Sequence, residues 1–134
     1  MLMEVMAAIL IFSLGVLSVI QLQSVSIKQS SGAGYRAVAA LLANDLISRM
    51  WVSDKTAATL QSNFSNANPS ASYTQWLSTV TASGLPNAGS TVQITPSPGG
   101  GTTPTSSSQV TVTITWQAPG DTSQHNYVAS AQLK

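Results

Sequence analysis

Apolar side chains fill the chain from Met1 to Ile20 with few interruptions, and the pattern then changes twice. Val5 to Ile20 carries no charge and no proline. At about 1.5 Å of rise per residue, a helix over Met1–Ile20 measures roughly 30 Å, the thickness of a bilayer's hydrocarbon. Gln21 to Ile27 contains no strong helix breaker, so the helix is expected to run on past the apolar zone. From about residue 35 to residue 53 the pattern becomes that of a helix with one apolar stripe. Ala39, Leu42, Leu46 and Met50 recur at helical spacing, and Ala43 and Ile47 widen the stripe. Asp45 and Arg49 stand four apart in acid-before-base order, which suits a solvated surface pair worth ~0.3–0.5 kcal/mol. Between the two helical portions, Ser30-Ser31-Gly32-Ala33-Gly34 costs about 2 kcal/mol of helix propensity relative to alanine. A kink, an unwound turn or a stretchable point is expected there, with Gly32 and Gly34 as the source of flexibility.

Beyond Trp51 the period shortens. Ser53 or Asp54 is placed to end or cap an element, and Thr56 to Phe64 reads as a short helix or a loop. Asn66 to Ser70 has turn chemistry, while Tyr73, Trp76, Leu77 and Val80 fit one short helix packing on a core. Ser83 to Gly89 is a turn. Thr91–Thr95 and Gln109–Gln117 alternate β-branched apolar and polar residues with period two, placing Val110, Val112, Ile114 and Trp116 on one face. His125–Leu133 makes a weaker third strand with Tyr127, Ala129 and Ala131 in one set. Pro96 to Ser108 reads as an exposed, flexible hairpin loop, and Ala118-Pro119-Gly120-Asp121 as a reversal. The expected fold class is α+β, a long N-terminal helix packed on a small C-terminal antiparallel sheet. Residues 1–29 form its apolar helix, and residues 30–134 form a globular head holding the second half of the helix (about 35–53) and the sheet (about 91–133).

Composition sharpens this division. The chain has 134 residues, room for one modest domain, and 43% of them are hydrophobic, but only 7% are charged against roughly 25% in typical soluble domains. The formal net charge of +1 offers no basic patch, so nucleic acid is not indicated as a partner. A neutral surface rich in Ser, Thr, Asn, Gln and Gly tolerates close packing against copies of itself, because little like-charge repulsion builds up. With no cysteine there is neither a disulfide nor a thiolate metal site.

Little in the sequence suggests catalysis. His125 is the only histidine, and the carboxylates are Glu4, Asp45, Asp54 and Asp121. His125 with Asp121 and a serine lacks any signature spacing, and His125 reads as a surface histidine. Gly99-Gly100-Gly101 lacks the lysine and helix of a phosphate loop. Metal ligands are too few for a closed site. No enzyme activity and no cofactor are therefore expected. Trp51, Trp76 and Trp116 suit core or interface more than a stacking platform. Asn63-Phe64-Ser65 matches an N-glycan acceptor pattern, and Thr102–Ser108 offers hydroxyls for O-linked sugar.

Glu4 is the residue that this background isolates. A carboxylate beside an apolar span is a functional candidate by default, although it also suits the positive end of a helix macrodipole at headgroup depth. No Lys or Arg precedes the run, and the first cation is Lys28, so a secretory signal with a basic start and a cleavage site does not fit. Met1-Leu2-Met3-Glu4-Val5-Met6-Ala7-Ala8-Ile9-Leu10-Ile11-Phe12-Ser13-Leu14-Gly15-Val16-Leu17 resembles the mature N-terminus of type IV pilins. In that family a prepilin peptidase removes a short basic leader, leaving an apolar helix whose fifth residue is glutamate. Here the glutamate is fourth, which suggests a processed form with its first residue missing.

The Ile-Phe-Ser-Leu-Gly-Val-Leu run and the Asp45-Leu46-Ile47-Ser48-Arg49-Met50 stretch are similar to PilV-type pilins, the type IV pilus modification proteins. The resemblance implies a subunit that assembles through Met1, Leu2, Met3, Glu4, Phe12 and Gly15, with Glu4 neutralising a neighbour's N-terminus, itself methylated in the family. The implied partners are copies of itself or other pilins, the inner-membrane assembly machinery, the prepilin peptidase and, before assembly, the lipid bilayer. The implied locations are the bacterial inner membrane and then an extracellular pilus, with cell adhesion among the roles of such fibres. A secretion-system pseudopilin and a membrane-anchored periplasmic binding module that never polymerises are the other classes compatible with the sequence.

Overall fold

A computed structural model describes residues 1–97 and 107–134. In chain order the elements are α1 (Leu2–Val52), α2 (Ala57–Phe64), α3 (Ala71–Ala82), β1 (Gly89–Pro96), β2 (Ser108–Trp116) and β3 (His125–Leu133). The arrangement is α+β, as the two periodicities predict. The chain divides into two compact units, residues 1–34 and 35–134.

The first unit is helix alone. Of the kink, unwound turn or stretchable point expected at Ser30–Gly34, the unwound turn is not formed, since α1 runs unbroken through Gly32 and Gly34. The physical reason is cooperativity. Two glycines weaken propagation by about 1 kcal/mol each but remove no hydrogen bond, and no proline stands nearby to do so.

The second unit has one hydrophobic core. The α1 residues buried in it are Ala39, Leu42, Ala43, Leu46, Ile47 and Met50, the stripe that helical spacing predicts. Leu60 and Phe64 of α2 join them, with Tyr73, Trp76 and Val80 of α3. The sheet is antiparallel in the order β1-β2-β3 and contributes Val92, Ile94, Val110, Val112, Ile114, Trp116 and Leu133. Register pairs Val92 with Val112 and Ile114 with Tyr127, so same-face residues of neighbouring strands stay together. Tyr127, Ala129 and Ala131 sit on the core side, partly buried.

Polar groups within this core are answered over long sequence separations. The Trp76 indole Nε1 donates to the Leu42 carbonyl at 3.1 Å, tying α3 to α1. The buried Ser108 hydroxyl donates to the Lys55 carbonyl at 2.7 Å, tying the start of β2 to the segment after α1. On the helix surface, Arg49 Nε meets Asp45 Oδ2 at 3.1 Å with both side chains partly exposed, so solvent keeps this pair weak.

The connections follow local chemistry. Ser70 caps α3, its hydroxyl accepting from Tyr73 N at 3.3 Å, and Gly84 takes φ +81° just beyond the helix end. At the expected reversal, Asp121 N donates to Ala118 O at 3.1 Å. Pro119 fills the second position and Gly120 (φ +85°) the third, the residues a type II turn requires. The Thr56–Phe64 segment resolves as helix α2 (Ala57–Phe64) with Thr56 at the N-cap position, and β1 extends to Gly89–Pro96. The flexible loop expected at Pro96–Ser108 has its centre, residues 98–106, outside the described residues.

Trp76 is 0% exposed, whereas Trp51 is 45% exposed with the Lys55 ammonium 5.9 Å from its ring centre. Trp76→Ala is expected to destabilise the folded head by about 3–5 kcal/mol. Trp51→Ala should cost less than about 1 kcal/mol. Thermal unfolding followed by near-ultraviolet circular dichroism compares the two, and equal losses would contradict this placement of the core.

Candidate functional site

The surface that demands an explanation lies in the first unit. No residue of the apolar segment is buried, and its large side chains point outward all round the helix: Leu2, Met3, Val5, Met6, Ile9, Leu10, Ile11, Phe12, Leu14, Val16, Leu17, Val19 and Ile20 are all exposed. Leu22, Val25 and Ile27 continue the series. A helix apolar on every side is made for surroundings that are apolar on every side. This one is long and apolar enough to cross a membrane.

Its hydroxyls do not contradict that reading. Ser13 Oγ donates to Leu10 O at 2.8 Å and Ser18 Oγ donates to Leu14 O at 3.0 Å. Both groups are satisfied by their own helix and ask nothing of the surroundings.

Glu4 lies in the first turn of α1. There the free N–H groups of the helix start favour a negative charge. Among the described residues, Arg49 pairs with Asp45 and the His125 ring meets Asp121, and Glu4 belongs to neither pair. Helical spacing puts Ala8, Ile11, Gly15, Ser18 and Leu22 on the face that Glu4 heads.

Of the residues expected to serve assembly, Met1, Leu2, Met3 and Glu4 cluster at the helix start, where Val5 N donates to Met1 O at 3.3 Å. Phe12 and Gly15 come together further along. They line one shallow groove with Val16, Val19, Ile20 and Gln23. From Glu4 to Gly15 is about 16 Å along the axis, so these are two separate parts of one surface. A Cβ at Gly15 would meet nothing within 4 Å, and the same holds at Gly32 and Gly34. Nothing in the chain's own packing therefore requires these residues to be small.

The polar constellation weighed from sequence is partly assembled. His125 Nε2 lies 2.7 Å from Asp121 Oδ2, and the imidazole stacks on the Trp116 indole with centroids 5.9 Å apart and an interplanar angle of 25°. Gln117 Nε2 donates to Asp121 O at 3.0 Å, fixing the turn that presents the carboxylate. Among the described residues no serine or threonine hydroxyl is hydrogen-bonded to His125, so a nucleophile paired with a base is not formed. The His125–Trp116 stack escaped sequence reasoning. It follows from register, because the two residues are direct partners across β2 and β3.

The three tryptophans are not a platform: Trp76 and Trp116 are buried apart from the exposed Trp51. Asn63 of the glycan-like pattern closes α2, where its carbonyl accepts a hydrogen bond from the Ser70 hydroxyl. The hydroxyl tract at Thr102–Ser108 lies outside the described residues up to Ser106.

No family model, no curated protein and no solved structure matches the chain. A long N-terminal helix with a three-stranded antiparallel sheet is compatible with a pilin-like fold.

The open surroundings of Gly32 and Gly34 generate a prediction. Replacing both by alanine is expected to stabilise the helix by about 1 kcal/mol per site. Far-ultraviolet circular dichroism in detergent micelles should show helix loss moving to higher temperature. A fall in the midpoint would mean that the glycines serve a contact inside the chain.

Proposed function

We propose that this chain is a structural, non-catalytic subunit of a type IV pilus-like filament, polymerising through its N-terminal helix. The observation that carries the reading is Glu4, a carboxylate without an ion-pair partner at the head of a helix whose apolar surface is wholly uncovered. Before assembly the helix holds the subunit in the inner membrane. On assembly the same surface packs against the helices of neighbouring subunits, exchanging lipid for protein contacts.

Glu4 then meets the α-amino group of an adjacent subunit. Its main effect is on register. A carboxylate moved into an apolar fibre core without a partner is penalised, so a subunit stacked at the wrong height is rejected. The notch at Gly15 beside Phe12 supports close helix approach, since small residues let helix backbones come together. The scarcity of charge, 7% of residues, supports dense packing of heads in the same fibre.

Glu4→Val and Glu4→Gln are expected to leave the subunit in the membrane fraction and reduce its recovery in sheared surface fibres at least tenfold, measured by mass spectrometry. Recovery at the parental level would remove Glu4 from the mechanism. If the parental chain itself is missing from fibres and found only in membranes, the filament reading fails and a non-polymerising anchored module takes its place.

A further inference from the structure

The sheet has two edges, and they are built differently. Ser97 N donates to Ser107 O at 3.0 Å, and this phase continues through the pairs Thr95–Gln109 and Gln93–Thr111. The backbone groups of Gln93 and Thr95 therefore turn toward β2, and those of Val92 and Ile94 turn away from it. The outward side of β1 is guarded. Val92 N donates to Asn66 Oδ1 at 3.2 Å, and Gln61 Nε2 donates to Ile94 O at 2.8 Å. The next outward position is Pro96, which has no N–H.

Carried across β2, the same phase turns the backbone groups of Asn126, Val128, Ser130 and Gln132 away from the sheet at β3. Among the described residues none of these N–H or C=O groups has a hydrogen-bond partner. The Ser130 and Gln132 bonds, to Thr111 and Ser97, use side chains only. From Asn126 to Leu133 there is no charge, proline or glycine, and Val128 is 52% exposed. A long, uncharged strand with its edge open is a template for another strand.

We infer that β3 docks β3 of a second copy of this chain, the two strands running antiparallel about a two-fold axis at Ala129. A neighbour's β1 is a poorer occupant, because Asn66 and Gln61 already use Val92 N and Ile94 O and Pro96 interrupts it. β3 matches itself. In the register centred on Ala129, Asn126 faces Gln132 and Val128 faces Ser130, all four with outward backbone groups. Every outward N–H and C=O of both strands is then paired. The side chains agree: carboxamide opposes carboxamide, Val128 opposes a small serine, and Tyr127 opposes Ala131. No like charges meet anywhere along the strand. With β1 partly occupied and broken by Pro96, the pair closes on itself and extension of the doubled sheet is disfavoured. The contact is small, and the apolar helix favours it by confining copies to one bilayer or micelle. None of this depends on the filament reading, and the test below leaves Glu4 untouched.

The experiment uses the full chain in detergent micelles, with sedimentation velocity and amide hydrogen exchange over a range of protein-to-micelle ratios. Self-association is expected, with exchange at Asn126, Val128, Ser130 and Gln132 slowing as copies per micelle rise. Val128→Pro removes an N–H that β2 does not use and should weaken association at least about tenfold, the effect of losing little more than one hydrogen bond's worth of free energy. Val128→Thr keeps that N–H and should associate like the parent. If the proline variant misfolds, Val128→Lys with Ser130→Lys serves instead, since lysines then face each other across the pair.

The chain has no cysteine, so register can be read by cross-linking. A mixture of Val128→Cys and Ser130→Cys chains should form a disulfide between the two, and neither variant should do so as fast alone. Three results would overturn the inference: monomers throughout, association with those four amides still exchanging fast, or cross-linking equally rapid in the unmixed variants.

Discussion

Three strands of alternating residues present an apolar face that water penalises by about 25 cal/mol for every Å² left wet. The cover for that face decides how residues 35–134 are arranged. Ala39, Leu42, Ala43, Leu46, Ile47 and Met50 supply much of it from α1, and Val110, Val112, Ile114 and Trp116 form the centre of the face they help to enclose. Neither partner is stable without the other, since a short amphipathic helix and a small sheet are both marginal in water. The indole of Trp76 fastens the arrangement, donating to a carbonyl on the very stripe it packs beside. A backbone carbonyl inside a helix already receives one bond, and its second lone pair is what this indole uses.

Much of this was legible in the sequence because it rests on period. Helical spacing located the α1 stripe and α3, and alternation located the strands and which residues share a face. The turn at Ala118–Asp121 was legible because proline and glycine have few places to go. Less legible were features that join distant positions. Gln61 with Ile94, Asn66 with Val92 and Ser108 with Lys55 are single side-chain bonds to backbone, and no pattern along the chain announces them. Of the three forms expected at Ser30–Gly34, a kink, an unwound turn or a stretchable point, the unwound turn is absent for another reason. Propensity is a local quantity, whereas a helix of 51 residues is held by every bond around the weak point. At the candidate site the surface itself was plain from the apolar run, and Glu4 stood out by its charge. Among the described residues Glu4 belongs to no charged pair, and no pattern along the chain announces that either.

The two units solve opposite problems with respect to water. In residues 35–134 most large apolar side chains are hidden and a sparsely charged, largely polar surface remains. In residues 1–34 the apolar groups are all displayed and have no internal partner to hide against. A free aqueous existence suits the former and not the latter, which is why the first unit has to be read through its surroundings. The same logic separates the two edges of the sheet, one answered by side chains of its own chain and one left to the exterior.

The two serines of the apolar run bear on how easily such a segment could change surroundings. With Ser13 and Ser18 closed onto Leu10 and Leu14, each hydroxyl carries its partner along with it. Passage from one oily environment to another then breaks no polar contact and leaves none to be remade. For this stretch of the helix, beyond Glu4, the difference between two such surroundings reduces to how well side chains pack. The two hydroxyls therefore set no preference between one apolar environment and another.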